Sequence, residues 1–417
     1  MTVDDDAPAR QTARAHAPPT GRAAVKILVI VATMIALTPF TLDMYLPAFP
    51  QMEADLDATN SQIQLSLTGV LVGLAVGQLL VGPLADAFGR RRPVLLGLLC
   101  HVGASGLCFV ASDAGILAAC RVLQGVSCAA VSVVSMATVR DLFAGSAHAR
   151  IMSRMFLVIG IGPVIAPTLG AGVLLFADWR SIFLVLALIG VTLLVVGLIF
   201  FPDTLPPEQR TRRGLGSALT SYAALLRDPT YTVVVLVGAL MFSTIFSYIS
   251  GASFVFQDRF GLSEQQFATL FAVNAGGLVL VAQINPLLIR RFGVAQVLTG
   301  ATVAGTVGAT ALLLALTVFE APLACVAVLL AFCVASYGVS TPNTQGLALV
   351  RQGHRAGAAA ALLGFSQFAV GAIVTPLVGL GVADGVAMAA VMTVTTTSAA
   401  LLMLLVVRRQ AANMQMT

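Results

Sequence analysis

Charge is scarce in this 417-residue chain: Asp, Glu, Lys and Arg make up 10% of it, against 58% hydrophobic residues and a mean hydropathy of +0.95. An average soluble domain carries roughly a quarter charged residues, so a water-soluble globular protein is excluded. Histidine is scarcer still, with four residues. His16 sits in a polar amino-terminal stretch, His101 in an apolar run, and His148 and His354 in separate polar loops, with no metal-ligand spacing among the four. That absence argues against a membrane enzyme built on a metal or a histidine base. Cys100, Cys108, Cys120, Cys128, Cys325 and Cys333 all fall in apolar runs and form no CxxC pair, so they read as small buried hydrophobes. A cleaved signal peptide is not expected either, because the first apolar run is too long and its end, MYLPAFP, has no small-residue cleavage site.

Apolar runs are what the chain has in abundance. A membrane-crossing helix needs about 20 mostly apolar residues, and twelve candidates occur near 24–46, 62–84, 94–112, 114–138, 151–176, 180–201, 231–256, 266–288, 294–316, 320–346, 356–381 and 384–407. The predicted fold class is an all-α integral membrane protein with twelve transmembrane helices in two six-helix halves. A polar tail over 1–22, expected to be disordered, precedes the first half at 23–201. The linker at 202–230, with a short amphipathic helix near 215–227, leads to the second half at 231–407 and a tail at 408–417.

Positively charged loops resist translocation. With the amino terminus inside, the inner segments hold Arg10, Arg14, Arg22 and Lys26; Arg90, Arg91 and Arg92; Arg140, Arg150 and Arg154; Arg210, Arg212, Arg213 and Arg227; Arg290 and Arg291; Arg351 and Arg355; and Arg408 and Arg409. The remaining three of the 23 basic residues are Arg180 and Arg259, outside, and Arg121 within a span. Both termini are therefore expected in the cytoplasm. This sidedness accounts for the formal charge of +5 and calls for no nucleic-acid partner.

The halves repeat one another. Gly162, Pro167, Gly170 and Gly172 of the fifth span match Gly371, Pro376, Gly379 and Gly381 of the eleventh at a constant offset of 209 residues. A weaker echo pairs PLADAFG at 83–89 with PLLIRRFG at 286–293. Parallel six-helix halves with a site between them near the midplane are the plan of two-domain secondary transporters. Gly69, Gly73 and Gly77 of the second span, Gly160, Gly162, Gly170 and Gly172 of the fifth, and Gly364, Gly371 and Gly379 of the eleventh are expected to face the interface, although static packing explains such ladders equally well. Pro163, Pro167 and Pro376 favour kinks in corresponding helices.

The run GPLADAFGRRRPV, residues 82–94, resembles the signature between helices 2 and 3 of the major facilitator superfamily, through Gly82, Leu84, Ala85, Asp86, Gly89, Arg90 and Arg91, with Ala87 in place of the usual basic residue. The resemblance implies a conformational lock, Asp86 capping or pairing with cytoplasmic helix ends in the outward-facing state. Arg121, Gln124 and Gly125 resemble the family's R-x-x-Q-G motif, linked to proton coupling, with Ser127 where glycine is common. Ala166-Pro167-Thr168-Leu169-Gly170-Ala171 resembles the antiporter motif, which marks exporters. DMYLPAFPQM from Asp43 and VRDLF at 139–143 are similar to the bicyclomycin and chloramphenicol resistance branch of drug:proton antiporters, the Bcr/CflA type.

Asp43 is the one acidic residue placed inside a span, after an uncharged run from Ile27 to Leu42. It reads either as a proton-exchanging group facing a cavity or as a helix end at the headgroups. Arg121 is placed about eight residues in from Asp113, roughly 12 Å at 1.5 Å per residue, with Asp43 nearer the outer surface and no salt bridge assumed. Arg121 reads either as a coupling partner or as a structural arginine on backbone freed near the fifth span. Tyr45, Gln124, Tyr248, Phe254, Asn274, Tyr337, Asn343 and Gln367 are the candidate pocket residues, although helix packing accounts for each aromatic as well. The resulting expectation is a monomeric, proton-driven exporter of a small amphipathic drug in a bacterial cytoplasmic membrane. It needs no cofactor or metal; its partners are the drug, protons and membrane lipid. A metabolite symporter or facilitator of the same fold, and a non-transporting sensor, are the alternatives.

Overall fold

The computed structural model describes residues 21–415 except 144, 211–213, 351, 353–354 and 381–383. The tail expected over 1–22 and Gly381 of the repeat lie almost wholly outside the described residues. Among the described residues, twelve helices are long and apolar enough to cross a membrane. They are α1 (Gly21–Asp43), α3 (Asn60–Phe88), α4 (Arg91–Phe109), α5 (Ala114–Leu142), α6 (Gly145–Leu174) and α7 (Arg180–Phe200), then α9 (Pro229–Phe254), α10 (Glu264–Phe292), α11 (Val294–Thr317), α12 (Leu323–Leu349), α13 (Ala356–Val378) and α14 (Val386–Gln415). Two short helices complete the set: α2 (Phe49–Asp55) follows α1, and α8 (Gly214–Leu226) is the linker helix. α14 runs on into the stretch expected as a tail.

The internal repeat is sharper in three dimensions than in the sequence. α3 and α10 are each 29 residues long. Each opens with a capping box, Thr59 with Gln62 and Ser263 with Gln266, in which side chain and backbone satisfy one another's orphan groups. Each contains a proline, Pro83 or Pro286, and each stops at a glycine with positive φ, Gly89 at 89° and Gly293 at 79°, a conformation that a Cβ disfavours.

The first span departs from its expected end near Pro47. A turn at Leu46–Ala48 and then α2 carry the chain onward, because Pro47 and Pro50 stand at first-turn positions where a missing N–H costs nothing. The candidate span runs on to Asp55, so Asp43, although it ends α1, lies twelve residues short of the end of that span.

Within the first half α3 packs on α5, α4 on α5 and α7, and α1 on α5, α6 and α7; in the second half α9 packs on α12, α13 and α14, and α11 on α12 and α14. The halves meet along two seams, α3 against α13 and α6 against α10. The second and fifth spans of one half thus face the fifth and second of the other, as a two-fold relation requires. One expectation is corrected here. Gly69, Gly73 and Gly77 face α5 inside their own half: a Cβ at Gly73 would lie 2.7 Å from Val126 N and 2.8 Å from Gly125 Cα. Static packing is the reason for that ladder. Gly364 and Gly379 do face α3 across the seam, against Gln78 and Gln64 respectively.

Candidate functional site

Asp43 is the last residue of α1. Its side chain is only 2% exposed, and Oδ1 has no hydrogen-bond partner. An ionised carboxylate without a partner is costly at such a place. Beside it Arg121, on α5, is fully buried. Its Nη2 donates to the carbonyl of Thr41 at 2.8 Å, its Nη1 to Gln124 Oε1 at 2.7 Å and its Nε to the carbonyl of Ser66 at 3.4 Å. The Thr41 carbonyl belongs to the last turn of α1, where helix carbonyls lack intrahelical donors and a cation is favoured by the helix dipole. Arg121 therefore holds the end of α1 on which Asp43 sits. The backbone it binds is that of the first and second spans rather than the fifth. Asp43 is within electrostatic reach of Arg121, but the four ion pairs among the described residues do not include the two.

Tyr45 and Gln124, expected to line a pocket, instead complete this network inside the first half. The Arg121 guanidinium lies 4.1 Å from the centre of the Tyr45 ring, and the Tyr45 hydroxyl is 3.1 Å from Ser66 Oγ. Gln124 Nε2 donates to Ser105 Oγ at 2.7 Å. Around these lie Cys128, whose thiol donates to Thr41 Oγ1 at 3.4 Å, and the buried His101, whose Nδ1 is 3.4 Å from Ser127 Oγ. Ser66, Ser105 and Thr41 were not legible beforehand, since a serine or threonine in an apolar run has no distinctive pattern.

Across the interface, the second half presents Tyr248. Its hydroxyl accepts a hydrogen bond from Asn274 Nδ2 at 3.0 Å, and its ring stacks on Phe271 at 5.1 Å. Asp43 is within electrostatic reach of it, so Tyr248 and Asn274 are candidates that the fold brings together near the carboxylate. Further along α9 towards the arginine-rich end, Phe242 meets Phe246 at 4.8 Å, Phe368 at 5.3 Å and Tyr337 at 5.9 Å. Gln367, beside Phe368, has an unpartnered buried Nε2. Asn343 Nδ2 donates to Asn285 Oδ1 at 2.8 Å, and its own Oδ1 is unpartnered. Phe242, Phe246 and Phe368 are additions to the sequence reading; the i, i+4 spacing of the first two was the available signal.

Phe254 belongs to a closure rather than to the aromatic surface. At the arginine-poor end Phe254 packs on Phe49 at 5.5 Å. Ser253 Oγ donates to the carbonyl of Leu46 at 2.8 Å, Gln257 Nε2 to that of Pro47 at 3.2 Å, and Gln64 Nε2 to that of Ser250 at 3.2 Å. All of these contacts join the two halves, and they close that end. The fifth-span motif fits close under α1: a Cβ at Gly162 would overlap Pro39 by lying 2.5 Å from its Cγ, and one at Gly170 would collide with the carbonyl oxygen of Met44, next to Asp43. Pro163 and Pro167 lie between these positions within α6, and Pro376 lies within α13.

At the arginine-rich end Asp86 pairs with Arg90 of its own half, Arg90 Nη1 to Asp86 Oδ1 at 2.6 Å, while Arg90 Nε donates to Asp141 Oδ2 at 2.8 Å. Burial opposes the charge of Arg90, yet Asp141 and Asp86 more than offset it and hold the guanidinium pKa above its ordinary value. The backbone N–H of Arg90 donates to Asp203 Oδ1 at 2.9 Å, and Asp203 Oδ2 accepts from Arg210 Nη2 at 2.9 Å. A Cβ at Gly89 would press on the Asp203 carboxylate at 2.7 Å. Arg91 donates to the carbonyl of Leu198, whereas Gly82 has open space around it. Asp141 and Asp203 are the partners missing from the sequence reading, although Asp141 stands in the VRDLF segment singled out there.

Comparison with known proteins agrees with this architecture. The family model described as Major Facilitator Superfamily matches residues 31–376. The chain is 37% identical over 383 residues to the uncharacterized MFS-type transporter YdgK of Bacillus subtilis, covering 90% of this chain and 94% of that one. It is 31% identical to a bicyclomycin resistance protein homolog of Haemophilus influenzae, covering 82% and 86%, and 33% identical to a chloramphenicol resistance protein of Pseudomonas aeruginosa, covering 67% and 68%. Among solved structures a D-xylose-proton symporter superposes with a TM-score of 0.74 at 15% identity, over 91% of this chain and 97% of that one, which shows the shared fold alone. The protein is a multi-pass membrane transporter and not an enzyme, and the chain belongs to the major facilitator superfamily.

Proposed function

We propose that the protein exports a small amphipathic antibiotic, chloramphenicol or a molecule like it, in exchange for protons, by alternating access. The observation that carries this reading is Asp43, a buried carboxylate with an unpartnered oxygen at the meeting of the two halves. It takes up a proton from one side and gives it to the other as the halves rock, while Arg121 holds the helix end that bears it. One proton moving down 100 mV yields about 2.3 kcal/mol, roughly a fifty-fold concentration ratio. A single carboxylate thus suffices for useful export.

The drug is received by Tyr248, Asn274, Tyr337, Gln367 and Asn343 together with Phe242, Phe246 and Phe368. That is a mostly apolar surface with a few polar groups, as small-molecule sites are. Phe254 and Phe49 form the gate at the outer end, and Asp86 with Gly89, Arg90 and Arg91 forms the inner lock. Gly162, Gly170 and Gly379 with the neighbouring prolines provide close sliding contacts. With its arginine-poor end closed and Asp86 paired inside its own half, the lock across the halves is disengaged in this conformation. Drug-resistance names among the relatives support the substrate class, and the arginine asymmetry supports cytoplasmic termini in a bacterial cytoplasmic membrane, with a monomer as the transporting unit.

The test is chloramphenicol efflux from cells, with and without a protonophore, for wild type and Asp43→Asn at matched expression. Protonophore-sensitive export that the variant lacks is the expected result. Normal export by the variant overturns the role of Asp43, and absence of export by the wild type overturns the substrate.

A further inference from the structure

Pro83 lies inside α3 and has no N–H, so the carbonyl four residues earlier, that of Leu79, loses its intrahelical donor. The structure supplies a replacement from outside the helix: the hydroxyl of Tyr222, on the linker helix α8, donates to the Leu79 carbonyl at 2.9 Å. Tyr222 is held in place by burial. With Leu225 it joins an apolar cluster that includes Val235 of α9, Ala348 of α12, and Ala359 and Leu362 of α13, and Leu79 packs against the same cluster. One short helix thus grips a first-half helix by a hydrogen bond and second-half helices by apolar contact. It does so where α13 crosses α3, since Gly364 of α13 lies against Gln78. Burial and the nearby Asp86 both raise the pKa of the Tyr222 phenol, so it remains a neutral donor at physiological pH, next to the lock.

We infer that α8 is a state-specific clasp between the halves, in which Tyr222 completes the hydrogen bonding broken at Pro83 and thereby stabilises the conformation closed at the arginine-poor end. A helix interrupted by a proline is otherwise open to changing its bend there, because the freed carbonyl has no fixed partner. The clasp rests on the transporter fold and on alternating access, not on the identity of the drug.

A double-mutant cycle separates the clasp from a merely structural role. Pro83→Ala restores the helix N–H that Leu79 lacks, so it makes the Tyr222 hydroxyl redundant. The reporter is Ala48→Cys, buried in the closed end, placed in a background with the six native cysteines replaced and reconstituted in nanodiscs. The readout is its rate of maleimide labelling. Tyr222→Phe keeps the ring and removes one hydrogen bond, so labelling is expected to rise about three- to ten-fold, the size of one net hydrogen bond. In the Pro83→Ala background that rise is expected to disappear. Leu225→Ala, which loosens α8 without touching the hydroxyl, raises labelling in both backgrounds. An unchanged rate in Tyr222→Phe, or an equal rise with and without Pro83, overturns the inference. Neither outcome bears on whether Asp43 couples protons.

Discussion

Arg121 serves three acceptors at once, the Thr41 and Ser66 carbonyls and the Gln124 side chain, and a planar guanidinium alone among side chains offers donors in that fork. Arg121→Lys preserves the charge and loses the fork. We expect at least one charged hydrogen bond to go unmade, lowering stability by about 1.5–3 kcal/mol, with efflux falling about ten-fold or more at equal membrane expression. Efflux equal to wild type would show that charge alone is what the position requires. Asp43 and Arg121 were legible in the sequence because a charge in an apolar run is expensive and rare. The inward direction of Tyr45 and Gln124 was not. Which face of a helix points at the other half depends on how the helices cross, and the spacing of residues along one helix does not encode that.

Among the elements, α6 and α1 depend on missing side chains. A methyl group at Gly170 would run into the Met44 carbonyl, while one at Gly172, two residues on, meets nothing within 4 Å. Gly170→Ala is therefore expected to destabilise by about 1–3 kcal/mol, the usual cost of overpacking, and to impair efflux by displacing the backbone beside Asp43. Gly172→Ala should leave thermal stability and efflux unchanged, and equal melting temperatures for the two variants would refute the close-approach argument. The repeat had drawn both glycines into one motif. Only their neighbours distinguish them, and those neighbours come from an element more than a hundred residues away in the chain. Twelve spans, by contrast, were readable at once, since length and apolarity alone decide whether a helix can cross a bilayer. The exception was the first, where prolines that read as a stop are first-turn residues of new turns.

For the molecule as a whole, the closed end rests on few polar contacts. Ser253 and Gln257 donate to the Leu46 and Pro47 carbonyls, each bond contributing about 1 kcal/mol net. Removing both, as Ser253→Ala with Gln257→Ala, should raise labelling at Ala48→Cys. The effect should add to that of Tyr222→Phe, because the two sites share no partner. Labelling no faster than in wild type would mean that the Phe49–Phe254 contact and the Gln64–Ser250 hydrogen bond suffice to hold the end shut. The two-fold repeat foretold where the halves meet but not how they differ. The charged network of Asp43 and Arg121 lies in the first half, and the cluster of Phe246, Tyr337 and Phe368 about Phe242 lies in the second. The two halves are matching frames that carry different side-chain chemistry. The buried charges and the aromatic cluster thus sit in different halves, so any relative motion of the halves alters the distance between them without either having to rearrange internally.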